Sequence, residues 1–209
     1  MLPLSLDVSR LRLALIGNGA SAARRLAWID ESGSAAVKVY AAVPAPELAA
    51  AAGERLVRHW PESAALRETQ LVFIAGVPEP QRGALAEAAR RAGAILHVED
   101  VPSLCDAHTP AVLRRGDLMI TISTGGAAPG LAAELKTFLG EIFGPEWRGR
   151  IDEMKALRRA WRGAGASHQA IRRQIGRHLV RAGWLEPAPA QPANDRAQSG
   201  GGRGGQSCL

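Results

Sequence analysis

The stretch LRLALIGNGASAARR, residues 11–25, decides how the chain is read. Leu11, Leu13, Leu15 and Ile16 run straight into Gly17-Asn18-Gly19, and an Ala/Arg-rich segment follows. That order reads as a buried strand, a tight glycine turn and the first turn of a helix. Gly17, Gly19 and Ala22 fit G-x-G-x-x-A, the dinucleotide-binding fingerprint. Gly17 lets the chain turn sharply, Gly19 lets the backbone approach a pyrophosphate, and Ala22 lets the helix sit close to the strand. Asn18, Ala20 and Ser21 complete the turn whose N–H groups face the anion. The same spacing also occurs in a generic strand–helix turn. Its place at the first strand of the chain favours the cofactor.

Outward from this turn the chain alternates strands and helices. Residues 36–42, AVKVYAA, read as a second strand, 45–53 as a short helix and 55–59 as a short third strand. Residues 71–75, LVFIA, form a continuous apolar run, the mark of a central parallel strand buried on both faces. A helix over 79–92, stopped by Gly93, and a strand over 94–98 follow. Residues 2–10 read as an edge strand or lead-in loop. This alternation implies an α/β fold with an open Rossmann-type parallel sheet and right-handed crossovers. A strand at 118–123 leads through a glycine turn into a helix at 130–143, and basic helices follow at 147–162 and 167–182, the second capped by Ser167. Residues 186–209 are rich in Pro, Gly, Ser and Gln and read as a disordered tail. The expected organisation is a nucleotide-binding domain over 1–112, a small α+β region over 113–145, a basic helical domain over 146–185 and the tail.

The chain has 209 residues, 46% of them hydrophobic, so one medium domain with an appendage can bury a core. No apolar run reaches the length of a membrane span, and the N-terminus lacks the pattern of a signal peptide. Two cysteines, Cys105 and Cys208 in the tail, argue against a structural disulfide and point to a reducing cytoplasm. The net charge is +6, and residues 146–185 carry ten Arg/Lys against three Asp/Glu. Such a segment attracts nucleic acid, an anionic membrane or a polyanionic small molecule, or is simply a solvated face. No nucleic-acid module is present, and aromatics are not interleaved with the basic residues. Trp147, Trp161 and Trp184 read as packing anchors.

Two more stretches carry possible chemistry. ISTGGAAP, residues 122–129, places Thr124, Gly125 and Gly126 before a helix, either as an anion site or as a turn with a cap. HVEDVPSLCDAH, residues 97–108, follows a strand, where open parallel sheets place ligands. It gathers Glu99, Asp100, Cys105, Asp106 and His108, at spacings that match no closed zinc pattern, so no metal site is assigned. Asp100 is the candidate acid or base, because a carboxylate in a cofactor cleft can accept or deliver a proton. The alternative is a carboxylate capping backbone N–H groups.

LPLSLDVSRLRLALIGNGASAARR at the start, LVFIAGVPEP in the middle, and VEDVPSLCDAHTPAVLRRGDLMITISTGGAAPGLAAELK together resemble the precorrin-2 dehydrogenase family, which includes the N-terminal part of siroheme synthases. The resemblance spans roughly residues 2–140, and PAVLRRGDL running into ISTGG is its most specific part. It implies an NAD-binding Rossmann domain, a dimerisation region around ISTGG and a C-terminal helical domain. It implies oxidation of precorrin-2, a tetrapyrrole, to sirohydrochlorin with NAD as cofactor, in siroheme biosynthesis. The enzyme would be a homodimer with no nucleic-acid or membrane partner. Some members also insert ferrous iron, so a bifunctional enzyme is one alternative. A non-catalytic tetrapyrrole- or nucleotide-binding protein is the other. The family's catalytic aspartate falls on Asp100, and its Ser/Thr beside the glycine pair falls on Thr124, so Thr124, Gly125, Gly126 and His108 are the expected substrate contacts. Asn18 interrupts a run of glycines usual in the family, Arg24-Arg25 stands for its basic pair, and Gly76-Val77-Pro78-Glu79 replaces an acidic stretch.

Overall fold

The computed structural model describes residues 2–34 and 36–185. The tail read as disordered, with Cys208, lies outside the described residues. Two compact units are present, Met1–Val112 with Ile120–Thr137, and Leu113–Met119 with Phe138–Leu209, so the 113–145 region contributes to both.

The first unit is built on a five-stranded sheet in the order β3-β2-β1-β4-β5. Its strands are β1 (Arg12–Gly17), β2 (Ala36–Tyr40), β3 (Leu56–Val57), β4 (Leu71–Ala75) and β5 (Ile95–Val98). Every pairing is parallel, with Leu15 opposite Val39 and Phe73, and Ile74 opposite Val98. From β1 the chain progresses to one side, through β2 to β3, and then to the other side, through β4 to β5. That reversal is the switch point at which such sheets hold their ligands.

Successive strand residues face opposite layers. Leu13, Leu15, Val39 and Phe73 pack against Leu26 and Ile29 of α1 (Gly19–Glu31) and Leu48 of α2 (Pro46–Ala52). Ala14, Ile16, Val72, Ile74 and Leu96 pack against Leu85, Ala86 and Ala89 of α3 (Gln81–Arg91). Burial on both faces is why LALI and LVFIA are uninterrupted apolar runs. The lead-in is no strand: Asp7 caps a turn of 3-10 helix at Val8–Arg10, its carboxylate accepting from Ser9 N and Oγ. The second strand stops at Tyr40, two residues short of the expected end, and the third is only two residues long.

The strands β6 (Ala111–Arg115) and β7 (Leu118–Ile122) form a two-stranded sheet, joined through Gly116 at φ +62° and Asp117. They precede α4 (Pro129–Ile142). Arg115 ties down the last turn of α4, donating to the carbonyls of Phe143 at 2.8 Å and Gly140 at 3.2 Å, groups that a helix end leaves without partners. In the second unit α5 (Trp147–Gly163) and α6 (His168–Arg181) are the two basic helices. Ser167 caps α6 as the sequence indicated, Oγ accepting from Ala170 N at 3.3 Å. Trp147 and Trp184 are indeed anchors: they pack edge-on to each other, and the Arg150 guanidinium lies over both rings, 5.1 and 5.5 Å from the centroids.

Candidate functional site

The glycine turn is organised by close approach more than by backbone curvature. Gly17 ends β1 with ordinary φ, yet a Cβ there would collide with the Ala75 carbonyl and sit 3.0 Å from Ala22 Cβ. Ala22 is fully buried, so its role is to seat α1 on the strand and not to touch a ligand. Gly19 lies at φ +65° with nothing within 4 Å of where its Cβ would be. The space above it is therefore open at the N-terminus of a thirteen-residue helix, at the carboxyl end of β1. An anionic group fits such a place through the helix dipole and the first-turn N–H groups.

Asn18 does something the spacing alone did not indicate. Its Oδ1 accepts from Gly19 N at 2.9 Å and from Ala45 N at 2.7 Å, while Nδ2 donates to Val43 O at 2.8 Å. One side chain thus caps α1 and fastens the loop after β2 beside the cofactor turn. Gly76 answers it from β4: it sits at φ +65°, and a Cβ there would strike the Asn18 carbonyl. The GVPE stretch in place of an acidic one is therefore shaped by backbone contact between the β1 and β4 loops. Ala20 is exposed, and Ser21 Oγ accepts from Arg24 at 3.1 Å.

The second part of the site is the carboxyl end of β5. Glu99 N extends the ladder, donating to Ile74 O at 2.9 Å. The chain then turns, and Asp100 stands exposed at φ +61°, the one positive-φ non-glycine among the described residues. Aspartate tolerates this left-handed conformation better than most residues, but it is still costly and tends to persist at functional positions. Asp100 and the Gly19 space lie on one edge of the sheet, because both follow carboxyl ends of parallel strands.

Behind Asp100 lies a buried polar cluster. His97, 9% exposed, has Nδ1 3.0 Å from Ala107 O. A carbonyl only accepts, so Nδ1 carries the proton and Nε2 is left to accept from Arg25 Nη2 at 3.4 Å. The same Nη2 is 3.8 Å from Glu99 Oε1. Burial lowers the His97 pKa, against the opposing effect of its bond to Ala107, so the ring is held neutral. Burial likewise pulls Arg25 down, opposed first by Glu99 and then by Asp100. Guanidinium nonetheless remains charged. Cys105 Sγ is occupied by Val98 O at 3.2 Å and Val101 O at 3.4 Å. Asp106 accepts from Leu96 N at 3.2 Å and pairs with Arg90, so it is a loop clamp. His108 is half-buried at the base of the same loop.

At the second glycine turn, Thr124 Oγ1 accepts from Ala128 N at 3.1 Å and Ser123 Oγ from Gly125 N at 3.2 Å. Gly125 and Gly126 take φ +66° and +85°. Both side chains thus shape the entry to α4. Arg25, which the sequence reading named only as part of a basic pair, is the residue it left out of the site. Ala22, Leu26 and Ile29 mark the buried face of α1, and Arg25 falls on that face, where a cation demands partners.

Sheet order, switch point and glycine turn define a Rossmann-type nucleotide-binding protein. The NAD(P)-binding family model NAD_binding_7 matches residues 4–111, and the chain belongs to that family. Over 138 residues, 65% of its length, it is 34% identical to a siroheme synthase of Methylococcus capsulatus, covering 29% of that protein. Over 169 residues, 75% of its length, it is 35% identical to one from Pseudomonas entomophila, covering 36%. The chain thus spans about a third of the length of the curated relatives it matches. In three dimensions it is similar to SirC, a precorrin-2 dehydrogenase, with TM-score 0.69 over 88% of this chain and 92% of that one. At 19% identity that likeness is one of fold. These relatives are the ones the sequence resemblance pointed to.

Proposed function

We propose that this chain oxidises precorrin-2 to sirohydrochlorin with NAD, as a homodimer in the cytoplasm. The observation that carries the proposal is Asp100, held left-handed at the carboxyl end of β5 on the edge that holds the glycine turn. The siroheme synthase relatives and the SirC-like fold support the substrate. NAD, when bound, supplies a hydride acceptor. Gly17, Asn18, Gly19, Ala20 and Ser21 form the backbone that takes its pyrophosphate, with Ala22 packed beneath. The one proton that loss of two hydrogens from precorrin-2 leaves behind, once a hydride has gone to bound NAD, would be accepted by Asp100 and passed to water. Thr124, Gly125, Gly126 and His108 are assigned to the substrate's carboxylates. The basic residues of 146–185, among them the exposed Arg173, Arg177 and Arg181 at four-residue spacing on α6, raise the local concentration of so polyanionic a substrate.

Dimerisation is assigned to α4. Leu131, Leu135, Phe138 and Ile142 follow helical spacing and are 54, 39, 57 and 43% exposed, an apolar stripe for which a second copy is the fitting partner. The deciding experiment follows absorbance with precorrin-2 and NAD, then adds ferrous iron to the same cuvette to test for insertion. Wild type should form sirohydrochlorin, and Asp100→Asn should lower kcat by at least ~10²-fold while NAD binding persists. No turnover by wild type, with NAD bound, would leave a binding protein instead.

A further inference from the structure

The left-handed Asp100 needs something to hold it, and the cluster behind it contains that device. Most of the 96–107 loop is pinned at its base: Leu96 O accepts from Asp106 N at 2.8 Å and Ala107 N at 3.1 Å, and Cys105 closes onto Val98 and Val101. Glu99 and Asp100 form the tip of this turn, with Glu99 N bonded to Ile74 O at 2.9 Å and Val101 N closing onto Val98 O at 3.4 Å, and it is the Glu99 side chain that reaches a neighbouring helix. Glu99 is restrained from α1. Its carboxylate meets Arg25, whose side chain is only 14% exposed. The guanidinium is itself fixed from three directions, 5.3 Å from the Trp28 ring centroid, 5.4 Å from Phe73 and 3.4 Å from the lone pair of His97 Nε2. Glu99 is the only carboxylate within 4.0 Å of it among the described residues.

We propose that Arg25 is the positioning residue for Asp100: by holding the Glu99 carboxylate against α1, it fixes the turn that presents Asp100 at the sheet edge. This rests on the functional assignment above. A buried cation on a helix and a carboxylate at a strand end make a rigid link between two elements, because separating them leaves a desolvated charge without a partner. The contact acts one residue away from the reacting carboxylate, where a displacement of about 1 Å is enough to matter. It follows that Glu99 is no neutral neighbour of Asp100. The two share one restraint.

The test compares Arg25→Met, Arg25→Lys, Glu99→Gln and the Arg25→Met/Glu99→Gln double variant in the full chain. Four quantities are read: kcat and KM for precorrin-2, NAD affinity by fluorescence, and amide exchange by mass spectrometry. Arg25→Met should lower kcat about 10- to 100-fold with KM and NAD affinity within about threefold of wild type. Exchange should accelerate in peptides covering 99–104 while β1 and β4 stay protected. Arg25→Lys should recover part of the loss, since it keeps the charge without the planar fork. The double variant should be no worse than Arg25→Met, because both changes cut one link. The proposal is overturned if kcat stays within about twofold, if NAD affinity falls in step with kcat, if protection drops across the whole sheet, or if the two changes add. The exchange arm needs no turnover. A wild type that fails to oxidise precorrin-2 therefore sinks the functional assignment, and local loosening at 99–104 still decides whether Arg25 holds the turn.

Discussion

At the scale of single residues, two positions show backbone conformation set by the site. Asp100 accepts a left-handed φ of +61° that glycine would take without cost. Asp100→Gly should therefore keep or raise stability, by up to ~1 kcal/mol or a few degrees in Tm, while turnover falls at least ~10²-fold. A variant that melts lower yet still turns over would show that the carboxylate is a structural cap. Gly76 is the opposite case. It combines φ +65° with direct approach to the Asn18 carbonyl, so a methyl group meets both strain and a clash. Gly76→Ala should destabilise the chain by roughly 2–4 kcal/mol and weaken NAD binding, because the turn at Asn18 must shift. Melting and titration of that one variant check both, and an unchanged Tm would remove the claim that the two loops interlock.

At the scale of elements, α1 and β5 are joined by a polar contact inside an otherwise apolar layer. His97 is held neutral there by burial, so the folded chain binds a proton at that ring less readily than the unfolded chain. The unfolded state therefore takes up more protons as pH falls below about 6.5. The contribution of His97 to stability is complete above that value and is lost progressively as pH falls from it toward the lower folded pKa. Melting scans between about pH 7.5 and pH 5.5 should show a steeper fall for wild type than for His97→Gln. Equal slopes would mean that folding leaves the proton affinity of the ring unchanged. The expected helix over 79–92 and strand over 94–98 shorten to Gln81–Arg91 and Ile95–Val98, because Pro80 and the bends at Ala92–Gly93 take up their ends.

At the scale of the whole molecule, the proposed pairing of two copies rests on the exposed apolar stripe of α4. Phe138→Glu places a charge in the middle of that stripe and should convert a dimer to monomer at micromolar concentration, read by light scattering. Wild type that is already monomeric would refute the assignment of α4. Among the described residues no helix is long and apolar enough to cross a membrane, so the stripe is not part of a span.

The order of the strands in the sheet came from the structure, but the succession of strands and helices along the chain, the two-sided burial of the central strands and the place of the glycine turn were legible in the sequence. They follow from local rules: period-two alternation, continuous apolar runs for strands covered on both faces, and small residues where backbones meet. Asp100 was legible as a candidate because it follows a strand of a parallel sheet. The left-handed turn at Asp100 was not, nor was Asn18 as a clamp on Val43 and Ala45, nor Gly76 as the partner of Asn18. Arg25 could be placed on the buried face of α1 by its spacing from Ala22 and Leu26, but not matched with Glu99 and His97 more than seventy residues away. Residues far apart along the chain carry no local signal of one another. Only closure of the sheet, with β4 bringing β5 to within reach of α1, brings that cation, that ring and that carboxylate together.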